Sequence, residues 1–285
     1  MITNQLEVGS GNGGDIYITA SESVAMNSGS SISASSLGAG LAGDISVTGS
    51  TLDMSDSSIT SQAEGSGNGG NIAVTTDSTL SMDNGSSISV SSLSDGNAGN
   101  ISANAGSSLD MDSSSMTSQA EGAGDGGEIS VAAATTVNMA NDASISASSL
   151  GDGTAGNITV DAGNSLDINS SSITSRAEGA GNGGLISVAV ADSIDMSSNS
   201  SISASSLGDG TAGNISVDTG NTLDMNSSSI TSKAEGAGDG GDITVTASSA
   251  DNIANNANIS ARSLGDGNAG TMSLDAGSTL GMNSS

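Results

Sequence analysis

Apolar residues recur along this chain in short apolar-x-apolar pieces that are flanked by Gly, Ser, Asn or Asp. The first three pieces are Ile16-x-Ile18, Val24-x-Met26 and Ile32-x-Ala34. Alternation over three to five residues places every second side chain on one face, which is typical of a half-buried β-strand. The pieces are too short and too rich in β-branched residues for helices, and the flanking glycines oppose helix formation. The pattern therefore predicts an all-β protein.

The three pieces return at a nearly constant spacing. The residue that opens each unit recurs every 27–29 positions, at Ile16, Ile45, Ile72, Ile101, Ile129, Ile158, Ile186, Ile215, Ile243 and Met272. Two units form a longer repeat, because residues 157–213 return almost unchanged as 214–270. A fixed period indicates a solenoid whose units lean only on their neighbours. We predict one domain over residues 1–285: a parallel β-helix of about ten rungs of 28–29 residues, with three short strands per rung. The usual crossover preference predicts a right-handed helix.

The second inward position of the middle strand holds methionine in most rungs. Its members are Met26, Met54, Met82, Met111, Met139, Ile168, Met196, Met225 and Met282. We interpret this ladder as flexible filler of a core that lacks aromatic residues, rather than as a metal or redox path. In the ninth rung, Asp251 and Ile253 occupy the corresponding places, so we expect a bulge or local loosening there.

The composition excludes several kinds of chemistry. Three basic residues against 31 acidic ones give a net charge of −28, which repels nucleic acid and anionic membrane surfaces. No apolar run is long enough to insert into a membrane. The absence of His and Cys removes the commonest general base, thiolate metal sites and disulfides. Tyr17 is the only aromatic residue, and Arg176, Lys233 and Arg262 lie on different rungs. We therefore expect a protein that is not an enzyme.

Glycine-rich corners of two alternating kinds separate the rungs. One kind reads Glu-Gly-x-Gly-Asn/Asp-Gly-Gly and the other Asp-Gly-x-Ala-Gly. We expect these glycines to supply positive φ and tight bends. A phosphate cradle is disfavoured because neither a lysine nor a helix follows. Calcium is the better candidate ligand, since it prefers carboxylate, amide and carbonyl oxygens. Two pairs of acids share a corner, Glu121 with Asp125 and Glu235 with Asp239, and these four residues are the candidate calcium ligands. The other interpretation is solvated surface charge, and no other cofactor is expected.

The outward positions of the third strand form a ladder of hydroxyl side chains. It comprises Ser33, Thr60, Ser89, Thr117, Ser146, Thr174, Ser203, Thr231 and Ser260. A flat Ser/Thr face could order water, as an ice-binding surface does. The alternative is an ordinary hydrated sheet face, and a Thr-x-Thr array, which would sharpen the ice-binding hypothesis, is missing.

Two kinds of repeat resemble those of the filamentous haemagglutinin family. The first kind is Gly11-Asn12-Gly13-Gly14-Asp15-Ile16-Tyr17-Ile18 and its counterpart at residues 67–74, and the second is Gly-Ser-Ser-Ile-Ser at 29–33 and 85–89. The resemblance implies a right-handed β-helical shaft, export by two-partner secretion, an extracellular or cell-surface location, and a structural or adhesive role. The family's amino-terminal secretion domain carries Asn-Pro motifs, and this chain has no proline. No site residue carries over from the family.

We therefore expect a non-catalytic shaft segment of a longer exoprotein, with flanking repeats as partners. Host-cell or matrix glycans or proteins would be bound through regions outside this chain. The alternative is an ice-binding or calcium-binding solenoid. Residues 1–6 have no basic or apolar signal-peptide region, and neither end resembles a polar cap. We accordingly expect a piece of a longer array whose unpaired strand edges allow end-to-end self-association.

Overall fold

The fold is a parallel β-helix. A computed structural model describes residues 1–6 and 11–283, and within those residues it contains thirty short strands and no helix. The strands form three ten-stranded parallel sheets, and consecutive strands of the chain belong to different sheets. Each strand pairs with the strand three places later, one rung further along. The predicted all-β solenoid with three strands per rung and about ten rungs is thus confirmed, while its right-handed sense stays a prediction.

The first sheet contains the strand that opens each rung. Its members are β2 (Ile16–Thr19), β5 (Ile45–Gly49), β8 (Ile72–Thr76), β11 (Ile101–Ala105), β14 (Ile129–Ala133), β17 (Ile158–Ala162), β20 (Ile186–Val190), β23 (Ile215–Thr219), β26 (Ile243–Ala247) and β29 (Met272–Ala276).

The second sheet contains the middle strands. They are β3 (Ser23–Asn27), β6 (Thr51–Ser55), β9 (Leu80–Asp83), β12 (Ser108–Asp112), β15 (Thr136–Ala140), β18 (Ser165–Asn169), β21 (Ser193–Ser197), β24 (Thr222–Asn226), β27 (Ala250–Ala254) and β30 (Thr279–Asn283).

The third sheet contains β1 (Ile2–Leu6), β4 (Ser31–Ser36), β7 (Ser58–Ala63), β10 (Ser87–Ser92), β13 (Ser115–Ala120), β16 (Ser144–Ser149), β19 (Ser172–Ala177), β22 (Ser201–Ser206), β25 (Ser229–Ala234) and β28 (Asn258–Ser263). The sequence analysis began the first rung at Ile16 and did not predict β1. This strand pairs in register with β4, so that Ile2 lies beside Ile32. It was missed because its rung contributes only one strand before Ile16.

The core is a set of stacked rows of like side chains. Met111 lies between Met82 and Met139, and Ile129 lies between Ile101 and Ile158. The predicted methionine ladder is confirmed in register, and its members are buried except Met282 in the last rung, which is 69% exposed. Parallel strands lie about 4.8 Å apart, so each row gives continuous apolar contact along the helix. Burying a large apolar side chain contributes about 1.5–3 kcal/mol, and the rows accumulate this gain rung by rung.

The ninth rung keeps its register, so the predicted bulge is absent. Asp251 pairs with Leu223 on one side and Leu280 on the other, and Ile253 continues the methionine ladder between Met225 and Met282. The side chain of Asp251 points into the core. A bulge in β27 would cost backbone hydrogen bonds to both neighbouring strands, and the residue-for-residue pairing keeps these bonds.

The corner glycines are required for close stacking rather than for positive φ. A Cβ added to Gly127 would lie 1.9 Å from the carbonyl oxygen of Gly99, and one on Gly124 would lie 2.0 Å from that of Gly96. Among the described glycines, only Gly29 and Gly85 have positive φ, and neither lies in a glycine-rich corner. The prediction of positive φ in these corners is therefore wrong. The backbone of one corner rests directly on the backbone below it, which leaves no room for a side chain.

Positive φ occurs instead in the turn between the second and third strands of the first nine rungs. Asn141 and Asp142 have φ values of 53° and 66°, and Asn84 and Gly85 have 52° and 80° in the equivalent turn. Asn and Asp enter the left-handed region more readily than other residues with a Cβ, because their short side chains bond locally. This turn therefore does not depend on glycine.

Glycines in the corners and glycines in the positive-φ turns should differ in their tolerance of a side chain. We expect Gly127→Ala to destabilise the protein by about 1–3 kcal/mol or more, because the added methyl forces adjacent corner backbones apart. Gly85→Asn is the matched control: a Cβ at Gly85 meets nothing within 4 Å, and Asp142 holds the equivalent place at positive φ. We expect this change to stay within about 0.5 kcal/mol. Urea unfolding measures both, and equal losses would contradict the stacking explanation.

Candidate functional site

A polar groove of about 620 Å³ runs over the glycine corners of five successive rungs. Its floor contains glycine and alanine, including Gly69, Gly70, Ala98 and Gly99. Its two walls are rows of mostly polar side chains, here called the first and second Asx rows. The first row in the groove is Leu41, Asn68, Asn97, Asp125 and Thr154, and the second is Asp44, Asn71, Asn100, Glu128 and Asn157. The groove includes Asp125, one of the four candidate calcium ligands.

The Asx rows hold successive corners together. In the first row, the Thr154 N–H donates to Oδ1 of Asp125 at 2.7 Å, and the Asn268 N–H donates to Oδ1 of Asp239 at 2.6 Å. In the second row, the Glu128 N–H donates in the same way to Oδ1 of Asn100 at 2.8 Å. Each bond joins a backbone donor to the residue one rung earlier. These bonds lie at the exposed corners and give the backbone N–H groups a partner where strand pairing has ended.

A row of buried serines fastens the corners from the inside. Oγ of Ser118 accepts from the Gly127 N–H at 2.9 Å and donates to the Gly99 carbonyl of the preceding corner at 2.8 Å. Ser61, Ser175 and Ser232 make the same pair of bonds in alternate rungs. Neither the serine row nor the Asx rows were predicted from the sequence. The sequence signal for these rows is that Ser, Asn or Asp recurs in successive rungs at a constant spacing from the corner glycines.

The four candidate calcium ligands have different surroundings. Oδ1 of Asp125 and of Asp239 accepts the cross-rung hydrogen bond described above. Glu235 is paired with Lys233, and this hydrogen bond together with the positive charge lowers the pKa of Glu235. Glu121 has no such cation on its own strand. Gln119 holds the position that Arg176 holds two rungs further along. Across residues 1–6 and 11–283, no three Asp, Glu, His or Cys side chains are grouped so that they could hold a metal. Calcium binding stays a hypothesis.

Three carboxylates stack on consecutive rungs of the second sheet. Asp195 pairs with Asp167 on one side and Asp224 on the other. Partial burial raises the pKa of Asp195, and the two neighbouring carboxylates raise it further. An acid whose pKa is higher in the folded state destabilises the fold at pH values above that pKa, and the penalty disappears on acidification. The row therefore contributes local repulsion at neutral pH.

The outward face of the third sheet carries the predicted hydroxyl ladder. Ser89 lies between Thr60 and Thr117, and the alternation of Ser and Thr continues in register along the sheet. A second row of serines runs beside it at the first position of each strand from β4 to β25. The side chains are half-buried between their neighbours. The sequence prediction of this ladder is confirmed, while its function is not tested by the geometry.

Comparisons with known proteins identify no relative. No family model matches the chain, and no curated protein or solved structure shows significant similarity to it. Within the part of the chain that the structure describes, no helix is long and apolar enough to cross a membrane. The fold and the side-chain rows described above are therefore the structural evidence on function.

Matched salt titrations test the calcium hypothesis. We expect NaCl and CaCl2 at equal ionic strength to raise the melting temperature equally, because both screen the net charge of −28. Asp125→Asn, combined with Asp239→Asn, is the informative variant. Asparagine holds equivalent positions in the first Asx row, where Asn97 accepts the Asp125 N–H, so the cross-rung bond survives while the charge is lost. An extra shift with Ca²⁺ that this double variant abolishes would establish the site and contradict our expectation.

Proposed function

We propose that this chain is a shaft segment of a secreted or cell-surface exoprotein of the filamentous haemagglutinin type. Its role is to hold other parts of that protein at a distance. The observation that carries the proposal is the continuity of the ladders: all three sheets keep one register from the first to the last described rung. Such a structure produces length and stiffness, roughly 48 Å for ten rungs, rather than a single local site.

A non-catalytic role is part of the proposal. Two basic residues form exposed ion pairs with acids on their own strand end, Arg176 with Glu178 at 3.2 Å and Lys233 with Glu235. Asp and Asn side chains of the Asx rows accept the cross-rung bonds. Partners of the shaft are flanking repeats of the same exoprotein, and host-cell or matrix glycans or proteins are bound elsewhere in that protein. The extracellular location rests on the family resemblance of the repeats.

The hydroxyl face of the third sheet favours a second candidate function, in which the solenoid binds ice. The supporting observation is the regular array of Ser and Thr side chains on the outward face of one parallel sheet. Thermal hysteresis in freezing solutions distinguishes the two functions. Hysteresis that is lost when Thr60, Thr117 and Thr174 are replaced together by Leu would favour the ice-binding candidate over the shaft.

Removal of a whole repeat tests the shaft proposal. We expect deletion of residues 158–214, which joins Asn157 to Ile215, to leave a folded protein shorter by about 10 Å, since two rungs are lost. Small-angle scattering measures the length and circular dichroism the fold. The control deletes residues 158–185, one rung, which brings two corners of the same kind together and removes Ser175. We expect this control to be less stable than the two-rung deletion.

Binding assays with the full 285-residue chain complete that test. The purified shaft should leave immobilised matrix proteins and host-cell glycans unbound. Saturable binding would place an adhesive surface on the shaft itself and overturn the spacer role. Collapse of the two-rung deletion to an unfolded chain would overturn the modular shaft independently of any binding result.

End-to-end association provides a further prediction of the proposal. The last rung exposes 47% of Met272, 47% of Leu280 and 69% of Met282, beside an apolar cavity of about 390 Å³. A contact between unlike ends does not close on itself and so propagates. We expect axial association to increase with salt, because screening weakens the repulsion between acidic chains. Met282→Lys should reduce it, whereas Leu150→Lys, on the side of the shaft, should not. Light scattering that stays monomeric at every salt concentration would contradict this prediction.

A further inference from the structure

Asp251 occupies a core position that is apolar in every other described rung. The row it interrupts consists of Val24, Leu52, Leu80, Leu109, Val137, Leu166, Ile194, Leu223 and Leu280. The substitution changes neither the length of β27 nor its pairing with β24 and β30. The backbone of β27 thus matches that of the equivalent strands with an apolar residue at this position, and it holds a carboxyl group inside the solenoid.

The carboxyl group of Asp251 is buried and has no partner. The residue is 1% exposed, and it is the only charged residue among the buried ones that the structure describes. Neither Oδ1 nor Oδ2 has a hydrogen-bond partner. An ionised carboxylate in such a place is far less favourable than a neutral one, because it loses hydration without gaining a donor or a counter-charge.

The charges around Asp251 do not relieve this cost. On β24 the nearest acid is Asp224, which faces solvent, and β26 and β30 contain no titratable residue. On β28, Arg262 is exposed and forms no ion pair with Asp251. On β29, Asp275 is exposed and carries the same charge as Asp251. Burial raises the pKa of Asp251, and the charge of Asp275 raises it further.

We infer that Asp251 makes strands β27 to β30, from the middle strand of rung nine to the last described strand, a proton-controlled segment of the solenoid. When Asp251 is protonated, the four strands pack as a continuation of the helix. When it is ionised, they separate from β24, β25 and β26 and expose their backbone edges and apolar side chains. The inference rests on the fold alone and does not depend on the proposed shaft function.

The direction of the pH effect follows from linkage. A carboxyl group with a raised pKa in the folded state binds protons more tightly there than in the open state. The stability of the segment is therefore complete at pH values below the ordinary pKa of aspartic acid, and it falls as the pH rises through the folded pKa. The response is local, because a rung in a solenoid contacts only its neighbours.

Hydrogen exchange followed by mass spectrometry on the full chain tests the inference. Between about pH 4 and about pH 8, after division by intrinsic exchange rates, we expect protection of residues 250–283 to fall about tenfold or more, the scale of an unsatisfied buried group. Protection of residues 101–140, in the middle of the helix, should stay constant. In Asp251→Leu, which restores the side chain found in neighbouring rungs, protection of residues 250–283 should be high and independent of pH.

Two further variants make the test decisive. Asp251→Asn, neutral but polar, should give intermediate protection without pH dependence. Asp77→Asn removes one exposed acid far from the segment and should behave as the unmodified protein does. The inference is overturned if residues 250–283 keep the same protection at both pH values in the unmodified chain. It is overturned equally if Asp251→Leu retains the full pH dependence.

Discussion

The structure depends on one constraint: each rung must place its backbone directly on the rung below, about 4.8 Å away, over the strands and the corners alike. In the strands, parallel pairing meets this constraint for every residue. In the corners, where pairing ends, the same spacing excludes any Cβ at Gly124 or Gly127 and requires other partners for the freed N–H groups. Asp125, Asn100 and Ser118 supply them. The glycine, Asx and serine rows are three consequences of a single stacking distance.

This constraint explains what the sequence could and could not predict. Strand number, period and the inward rows followed from alternation and spacing, because side-chain direction in a strand is fixed by the period of two. Met111 and Ser89 accordingly lie where the pattern placed them. No comparable periodicity fixes the side-chain directions in the corners. Their glycines were assigned to positive φ, whereas the left-handed residues lie at Asn84, Asn141 and similar turn positions. Contact between corners one rung apart is a tertiary property that no local pattern contains.

The same distinction applies to the acids. Asp125 and Asp239 were chosen as calcium ligands from residue type and proximity along the chain. Each uses one oxygen to hold the next corner, a role that asparagine fills at Asn97 and Asn182. The exchange of Asp for Asn within one row shows that the shared property is the accepting oxygen rather than the charge. At Asp125 and Asp239 the carboxylate therefore has a structural explanation, because its oxygen holds the next corner.

A solenoid also determines where a defect can persist. In a globular core, an unpaired carboxylate would weaken one cooperative unit, and the whole protein would lose stability. Here the ladder on either side of Asp251 remains in register, because each rung is held mainly by its two neighbours. The penalty therefore falls mainly on β27 and the two strands paired with it, rather than on the whole solenoid.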